Sequence, residues 1–271
     1  MDVYGLLGNP VGHSVSPALH EAAYEVLGLD ATYVTLEPEP DRLGEAIEGA
    51  DALGIAGLNV TIPFKEAVLD YVEPDEAAAR IGAVNTIDFS SDPPRGFNTD
   101  AAGARRALEH HGVNPGARTA VLIGAGGAAR AIGWMLTDAG ATVHVANRTE
   151  SRAADLAADL NATGHPLEAV PELAERADLL INATSVGIEA DKSPVPSSVF
   201  HGGLTVMDAV YTPLKTRFLR EAADAGATTI DGAWMLLYQG VEALERWTGE
   251  TAPVEAMNES LRAALRGDGS R

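Results

Sequence analysis

The stretch Val121-Leu122-Ile123-Gly124-Ala125-Gly126-Gly127-Ala128-Ala129 decides the fold. An apolar strand runs into a glycine turn, and the turn opens a helix expected over 128–138. That context turns a weak G-x-G-x-x-A pattern into a specific one. Gly124 permits the tight turn, Gly126 lets the backbone approach a pyrophosphate, and Ala129 allows close helix–sheet packing. The helix N-terminus adds partial positive charge for an anion. Gly124, Ala125, Gly126, Gly127 and Ala128 are therefore candidate cofactor contacts.

Strand and helix alternate on both sides of this turn. Downstream, the pattern predicts strand 142–146, helix 151–160, strands 179–182 and 205–209, helix 215–225 and strand 228–230. Upstream, strand 3–8 ends in Gly8-Asn9-Pro10, and a helix follows with Ser16 as N-cap and Pro17 in its first turn. Gly28 stops that helix. Strand 31–36, helix 41–50, strand 55–62, helix 64–71, strand 81–89, a turn-rich link at 90–94 and helix 100–111 complete the first series. Such alternation predicts an α/β fold with mostly parallel sheets covered on both faces. Two series imply two lobes, over 1–101 and 102–232. Two closing helices, within 233–271, are expected to pack back on the first lobe.

Composition narrows the function. The chain has 271 residues, 46% of them hydrophobic, and no cysteine. Disulfides, thiolate nucleophiles and cysteine-based zinc sites are excluded, and no metal site is read from the sequence. No apolar run approaches the roughly 20 residues of a membrane span, and no signal pattern opens the chain, so a cytoplasmic protein is expected. A net charge of −20 argues against nucleic-acid binding, because no basic face is available for phosphates. Many carboxylates with almost no lysine resemble proteins of salt-accumulating halophilic archaea.

Three lysines, Lys65, Lys192 and Lys215, stand against sixteen arginines. Lys65 lies in Gly57-Leu58-Asn59-Val60-Thr61-Ile62-Pro63-Phe64-Lys65-Glu66, where a strand breaks at a proline. An ammonium can give up its proton when its surroundings favour the amine, which a guanidinium does not do. Asp100, in Asn98-Thr99-Asp100 at the junction of the lobes, is a second candidate for proton handling. Polar residues Ser14, Ser16, Asn59, Thr61 and Asn85 fall at expected strand ends and loops. After the second strand of the glycine-turn lobe comes Asn147-Arg148-Thr149, with Arg152 one helical turn on. An NAD site usually places a carboxylate there, whereas arginines suit a 2′-phosphate, so NADP is the expected cofactor.

Taken together, the chain resembles the shikimate dehydrogenase family along nearly its whole length. The resemblance is carried by Gly8-Asn9-Pro10-Val11-Gly12-His13-Ser14-Val15-Ser16-Pro17, Asn59-Val60-Thr61-Ile62-Pro63-Phe64-Lys65-Glu66, Gly82-Ala83-Val84-Asn85-Thr86 and Asn98-Thr99-Asp100. It continues through the glycine turn, Asn147-Arg148-Thr149, Asn182-Ala183-Thr184-Ser185-Val186-Gly187 and Asp231-Gly232-Ala233-Trp234-Met235-Leu236-Leu237-Tyr238-Gln239. Glu21 departs from the pattern, standing where many relatives have asparagine.

The resemblance implies reversible NADPH-dependent reduction of 3-dehydroshikimate to shikimate, a step in aromatic amino-acid biosynthesis. It assigns Lys65 as general acid/base with Asp100 beside it, and Ser14 and Ser16 to the substrate carboxylate. Thr61, Asn85, Asp100 and Gln239 would hold ring hydroxyls, with Asn59 and Tyr211 nearby. Ala209, Gly232 and Glu76 would lie near the nicotinamide end. The first lobe would bind substrate, the second NADP, and Gln239 would return with the closing helices. A homodimer is carried as the expected assembly, with a small-molecule substrate and no nucleic-acid or membrane partner. Three alternatives stay open: an NAD-using quinate/shikimate dehydrogenase, a methylene-tetrahydrofolate dehydrogenase-like enzyme, and an NADP-binding regulator without chemistry.

Overall fold

A computed structural model describes residues 1–267. The chain divides into two compact units, one of Met1–Thr99 together with the chain from Gln239 onward, the other of Asp100–Tyr238.

In the first unit, β1 (Asp2–Leu7), α1 (Ser16–Leu27), β2 (Ala31–Leu36), α2 (Leu43–Ala52) and β3 (Gly57–Val60) are followed by β4 (Glu73–Pro74), α3 (Glu76–Ile81), β5 (Thr86–Asp88) and β6 (Arg95–Phe97). The sheet order is β2-β1-β3-β5-β6-β4. β1 runs parallel to β2 and β3, but β5 runs antiparallel to both β3 and β6. The sheet is thus mostly parallel, as the sequence suggested, with β5 alone reversed between β3 and β6. The link from β5 to β6 is too short for a crossover helix, and a short link can only return antiparallel.

Local chemistry explains the other departures. The strand expected over 81–89 shrinks to Thr86–Asp88: Ile81 ends α3, and Gly82 turns the chain in the left-handed region before the strand can begin. The Asp75 carboxylate accepts from Ala78 N–H at 2.8 Å to start that helix, and Gly82 closes it at φ +72°. After Phe64 the chain makes a 3₁₀ turn, Ala67–Tyr71, where an α-helix was expected. Glu73 N–H already bonds to Pro94 O at 2.8 Å, so the backbone must extend into β4 at once. Ser16 is the first residue of α1 and not its cap; its N–H donates to Ser14 Oγ at 3.2 Å.

β2 is an edge strand, and an open edge presents unpaired N–H groups. Glu21 answers this: its carboxylate accepts from Tyr33 N–H at 2.6 Å and Thr32 Oγ1 at 3.0 Å. The residue that departs from the family pattern is therefore employed in holding α1 to β2. The closing helices α9 (Gly232–Thr248) and α10 (Val254–Arg266) also reach this unit. Trp247 donates to Ile87 O at 2.9 Å and stacks on Tyr4 at 4.9 Å. A side chain at Gly57 would strike that indole at 2.3 Å, which is why β3 opens on glycine. Ser260 Oγ donates to Ala18 O at 2.8 Å, fixing α10 on α1.

The second unit begins within α4 (Thr99–His110) and contains β7 (Thr119–Ile123), α5 (Gly127–Asp138), β8 (Thr142–Asn147), α6 (Glu150–Leu160), β9 (Thr163–Pro166), α7 (Val170–Ala174), β10 (Leu179–Asn182), β11 (Thr205–Asp208), α8 (Arg217–Asp224) and β12 (Thr228–Ile230). Its sheet, ordered β12-β11-β10-β7-β8-β9, is wholly parallel. The central strands are buried on both faces and read as continuous apolar runs. Val121, Ile123, Leu180 and Val206 pack with Phe218 and Leu219 of α8 and Val170 of α7. Each fully buried aliphatic side chain contributes on the order of 2 kcal/mol. The sequence reading missed β9, because Thr-Gly-His-Pro has no strand pattern. Gly164 lets it form, since a Cβ there would meet the Ala154 backbone of α6 at 2.8 Å. No helix among the described residues is long and apolar enough to cross a membrane.

His20 is fully buried on α1 and lies parallel to Tyr33, ring centroids 4.3 Å apart. Burial lowers its pKa from 6.5 to about 3. The unfolded chain therefore binds a proton between these values that the folded chain does not, so stability is full above the unfolded pKa and falls as pH drops below it. Between pH 7 and pH 5 this one group removes roughly 2 kcal/mol. His20→Phe keeps an aromatic ring against Tyr33 and cannot take the proton. Urea unfolding at the two pH values should show a smaller acid loss in that variant by about this amount.

Candidate active site

The C-terminal ends of β1 and β3 and the N-terminal end of β5 lie along one edge of the first sheet, by the pairings Leu7↔Val60 and Asn59↔Thr86. Ser14 and Ser16 follow β1, Thr61 and Lys65 follow β3, and Asn85 precedes β5. Topology thus brings these candidates to one edge. Gly8 N–H and Asn9 N–H bond to Leu36 O and Ile62 O, at 3.1 and 3.0 Å, which seats the serine loop against the Thr61–Pro63 segment. A Cβ at Gly8 would meet Thr61 Cγ2 at 2.4 Å, so the two loops touch because Gly8 has no side chain.

Asn59 and Asn85 are buried, and each is oriented by side-chain contacts. Asn59 Oδ1 accepts from Tyr33 Oη at 2.7 Å, while its Nδ2 donates to Thr86 Oγ1 at 3.1 Å. Asn85 Oδ1 accepts from Thr99 N–H at 2.7 Å. Lys65 is half-buried, whereas Lys192 and Lys215 are exposed. Its backbone carbonyl accepts from Val84 N–H at 2.8 Å, which ties the lysine to the segment that carries Asn85. Gln239 is buried within α9, and its neighbour Gly240 lies against Leu19 and His20 of α1. Glu76 is exposed at the start of α3, and His13 is exposed in the serine loop.

Asp100, in the first turn of α4, and Tyr211 belong to the second unit, as do the cofactor candidates other than Glu76. Gly124 has φ +119°, and a Cβ there would meet Ala183 O at 2.7 Å. Gly126 and Gly127 face open space at the start of α5. The first glycine is thus required by the fold, while the other two leave open space at the helix start. That arrangement fits a pyrophosphate at a helix N-terminus. Asn147 Nδ2 donates to Thr149 O at 3.0 Å, shaping the turn after β8. Arg148 and Arg152 are exposed there, with no ion-pair partner among the described residues. Elsewhere in this unit arginines meet carboxylates, as in Arg105–Asp138 at 2.9 Å, Arg130–Asp159 at 3.0 Å and Arg217–Glu221 at 2.7 Å. The residues present therefore fit a 2′-phosphorylated dinucleotide.

One group escaped the sequence reading. Asp208, at the end of β11, is wholly buried and accepts from Asn182 Nδ2 at 2.9 Å, Val210 N–H at 3.0 Å and Thr216 Oγ1 at 2.6 Å. Burial pushes its carboxyl up to about 6, against the pull of the three donors. A carboxylate closing the apolar run Thr205–Met207 was the available signal. Ala209 and Val210 follow directly, and Gly232 sits so close to both that a Cβ would meet their carbonyl oxygens at 2.7 and 2.6 Å.

Comparison with known proteins agrees with this geometry. The profile of the shikimate dehydrogenase substrate binding domain matches residues 6–87, that of shikimate / quinate 5-dehydrogenase matches 106–189, and that of the shikimate 5'-dehydrogenase C-terminal domain matches 232–262. The chain is 65% identical over 266 residues to the shikimate dehydrogenase (NADP(+)) of Natronomonas pharaonis, covering 98% of this chain and 100% of that protein. The enzyme of the same name from Haloarcula marismortui is 62% identical, with the same coverage. Among solved structures, shikimate 5-dehydrogenase from Thermus thermophilus in complex with NADP(H) and shikimate is 40% identical, with TM-score 0.91 over 97% of this chain and 100% of that one. The chain belongs to the shikimate dehydrogenase family.

Proposed function

We propose that this chain catalyses the reversible reduction of 3-dehydroshikimate to shikimate with NADPH, and that Lys65 carries the proton. The observation behind the proton carrier is placement. The one half-buried lysine of an almost lysine-free chain stands at the sheet edge that also bears Ser14, Ser16, Asn59, Thr61 and Asn85. Full-length identity to NADP-dependent shikimate dehydrogenases supports the reaction itself.

When bound, the nicotinamide supplies or accepts the hydride. The residues of the chain do the rest. Hydroxyls of Ser14 and Ser16 would donate to the substrate carboxylate, each a directional donor without added charge. Thr61, Asn85 and Gln239 would hold ring hydroxyls, with Asn59 beside them. Lys65, as the ammonium, would donate a proton to the ring oxygen as charge develops there, and as the amine would remove it in reverse. Asp100 would orient that exchange. Gly124 to Ala128 would cradle the pyrophosphate, and Asn147, Arg148, Thr149 and Arg152 the 2′-phosphate. Glu76, Ala209, Tyr211 and Gly232 would border the nicotinamide and the ring.

The composition is that of a protein for a high-salt interior, and the two relatives named above are haloarchaeal. At about 2 M KCl, charges separated by more than a few ångströms are screened. Shikimate-dependent reduction of NADP⁺ should therefore exceed that of NAD⁺ and be faster at about 2 M KCl than at low salt. No turnover with either cofactor, in folded protein at any salt, would overturn the proposal.

Four variants test the parts. Lys65→Ala should lower kcat by at least about a hundredfold with little change in the KM for shikimate. The double change Arg148→Ala and Arg152→Ala should cut the preference for NADP⁺ over NAD⁺ by at least about tenfold, read as the ratio of kcat/KM values. Gly126→Ala should leave the melting temperature nearly unchanged yet weaken NADPH binding about tenfold or more, because its Cβ would occupy ligand space. Gly124→Ala, in contrast, should lower the melting temperature, since its φ and its contact with Ala183 O both exclude a side chain.

A further inference from the structure

The loop after β11 carries Ala209, Val210 and Tyr211, and it is held from two sides. On one side is Gly232, whose missing side chain lets it lie against the carbonyls of Ala209 and Val210. On the other is the carboxylate of Asp208, which gathers three donors from three separate segments. Asn182 Nδ2 comes from the end of β10, Val210 N–H from the loop itself, and Thr216 Oγ1 from the N-cap of α8. The web extends outward. Asn182 Oδ1 accepts from Thr184 N–H at 3.1 Å and Thr184 Oγ1 at 2.7 Å, and Thr184 Oγ1 accepts from Val186 N–H at 3.1 Å. Thr216 Oγ1 accepts from Leu219 N–H at 3.3 Å, and Thr216 Cγ2 packs near Gly187, itself at φ +107°.

We propose that Asp208 is a positioning residue for the reaction, its buried carboxylate setting the backbone of Ala209–Tyr211 against which the nicotinamide end of the cofactor meets the substrate. The proposal rests on the assignment of Ala209, Tyr211 and Gly232 to that end of the site. Asp208 acts through the loop and reaches neither cofactor nor substrate. An ionised carboxylate suits this place because all three neighbours arrive as donors, which a neutral isostere satisfies only in part. One carboxylate also joins two loops, the Asn182–Gly187 turn and the Ala209–Thr216 segment. Arg148 and Arg152 follow β8, with β10 and β7 lying between it and β11, so the 2′-phosphate end of the cofactor is held by residues that Asp208 does not reach.

That independence supplies the test. Asp208→Ala, checked for folding by circular dichroism, is assayed for turnover at saturating shikimate and NADP⁺, and titrated with adenosine 2′,5′-bisphosphate, which carries only the adenosine half. The expected result is kcat lowered about tenfold or more with bisphosphate affinity within about twofold of the parent. Asp208→Asn keeps two acceptor contacts and can donate to Thr216 Oγ1, so its kcat should lie between Asp208→Ala and the parent. Parent-like turnover in Asp208→Ala would overturn the proposal. So would equal losses of turnover and bisphosphate affinity, the mark of a general loosening of the unit. If Asp208→Ala fails to fold, Thr216→Val decides: kcat lowered about threefold with unchanged bisphosphate affinity supports the proposal, and unchanged kcat overturns it. Absence of turnover in the parent protein would instead count against the assigned reaction.

Discussion

The Asn85 side-chain oxygen accepts from Thr99 N–H at 2.7 Å and lies within 3.2 Å of the hydroxyls of Thr86 and Thr99. All three residues are buried, so no bulk water can replace a partner that is lost. A buried donor or acceptor left alone costs about 1–3 kcal/mol, and here the groups depend on each other. The contact fixes where β5 starts and where α4 starts, across an interval of 14 residues. Asn59 joins from β3 through Thr86, and Tyr33 joins from β2 through Asn59. Three segments that bear or adjoin candidate site residues therefore share one polar web with β2, and their relative heights on the sheet edge follow from it.

The second unit uses a charge for the same purpose. Asp208 fastens β10, β11 and the start of α8 as Asn85 fastens β5 and α4. The choice of group follows from its partners. Asn59 and Asn85 must both donate and accept among hydroxyls and amides, which a side-chain amide can do. Asp208 meets donors only, so an acceptor-only carboxylate answers all of them, and burial raises its pKa without bringing it to neutrality above about 6. In both units the polar residue sits at a strand end, where the ladder stops and backbone groups would otherwise lack partners.

These webs also mark the limit of what the sequence discloses. The glycine turn, the parallel second sheet and the alternation of elements were legible because each follows from local pattern: an apolar run, a turn residue, a helical period. The family was legible from several ordered motifs. The reversal of β5 was not, since it depends on the short link before β6 and on α3 consuming residues that look strand-like. β9 was hidden for the opposite reason, having no strand-like residues and existing because Gly164 fits against α6. Ser16 looked like a cap, and only the geometry shows Ser14 taking the N–H. Asp208 carries only a faint local signal, a carboxylate closing an apolar run, because two of its three partners lie 26 and 8 residues away in sequence. Pairing at long range decides such roles, and one sequence contains no direct record of it.

Charge places a last constraint on function. A net charge of −20 repels an anionic dinucleotide and a carboxylate substrate over the whole approach. At ~0.1 M salt the Debye length is about 10 Å, and that repulsion reaches well beyond the surface; near 1 M it is about 3 Å. In concentrated salt, then, only charges in direct contact with the ligand matter. Arg148 and Arg152 are suited to that regime. They stand clear of the acidic neighbours that occupy Arg105, Arg130 and Arg217, so their donors face outward. The same logic would favour the carboxylate site proposed at Ser14 and Ser16. Directional hydroxyl donors lose little to screening, whereas a second cation beside Lys65 would favour its neutral amine and change the proton it has to offer. On the proposed assignment, an acidic chain would thus take two anions with two arginines at the phosphate and one lysine at the reacting centre.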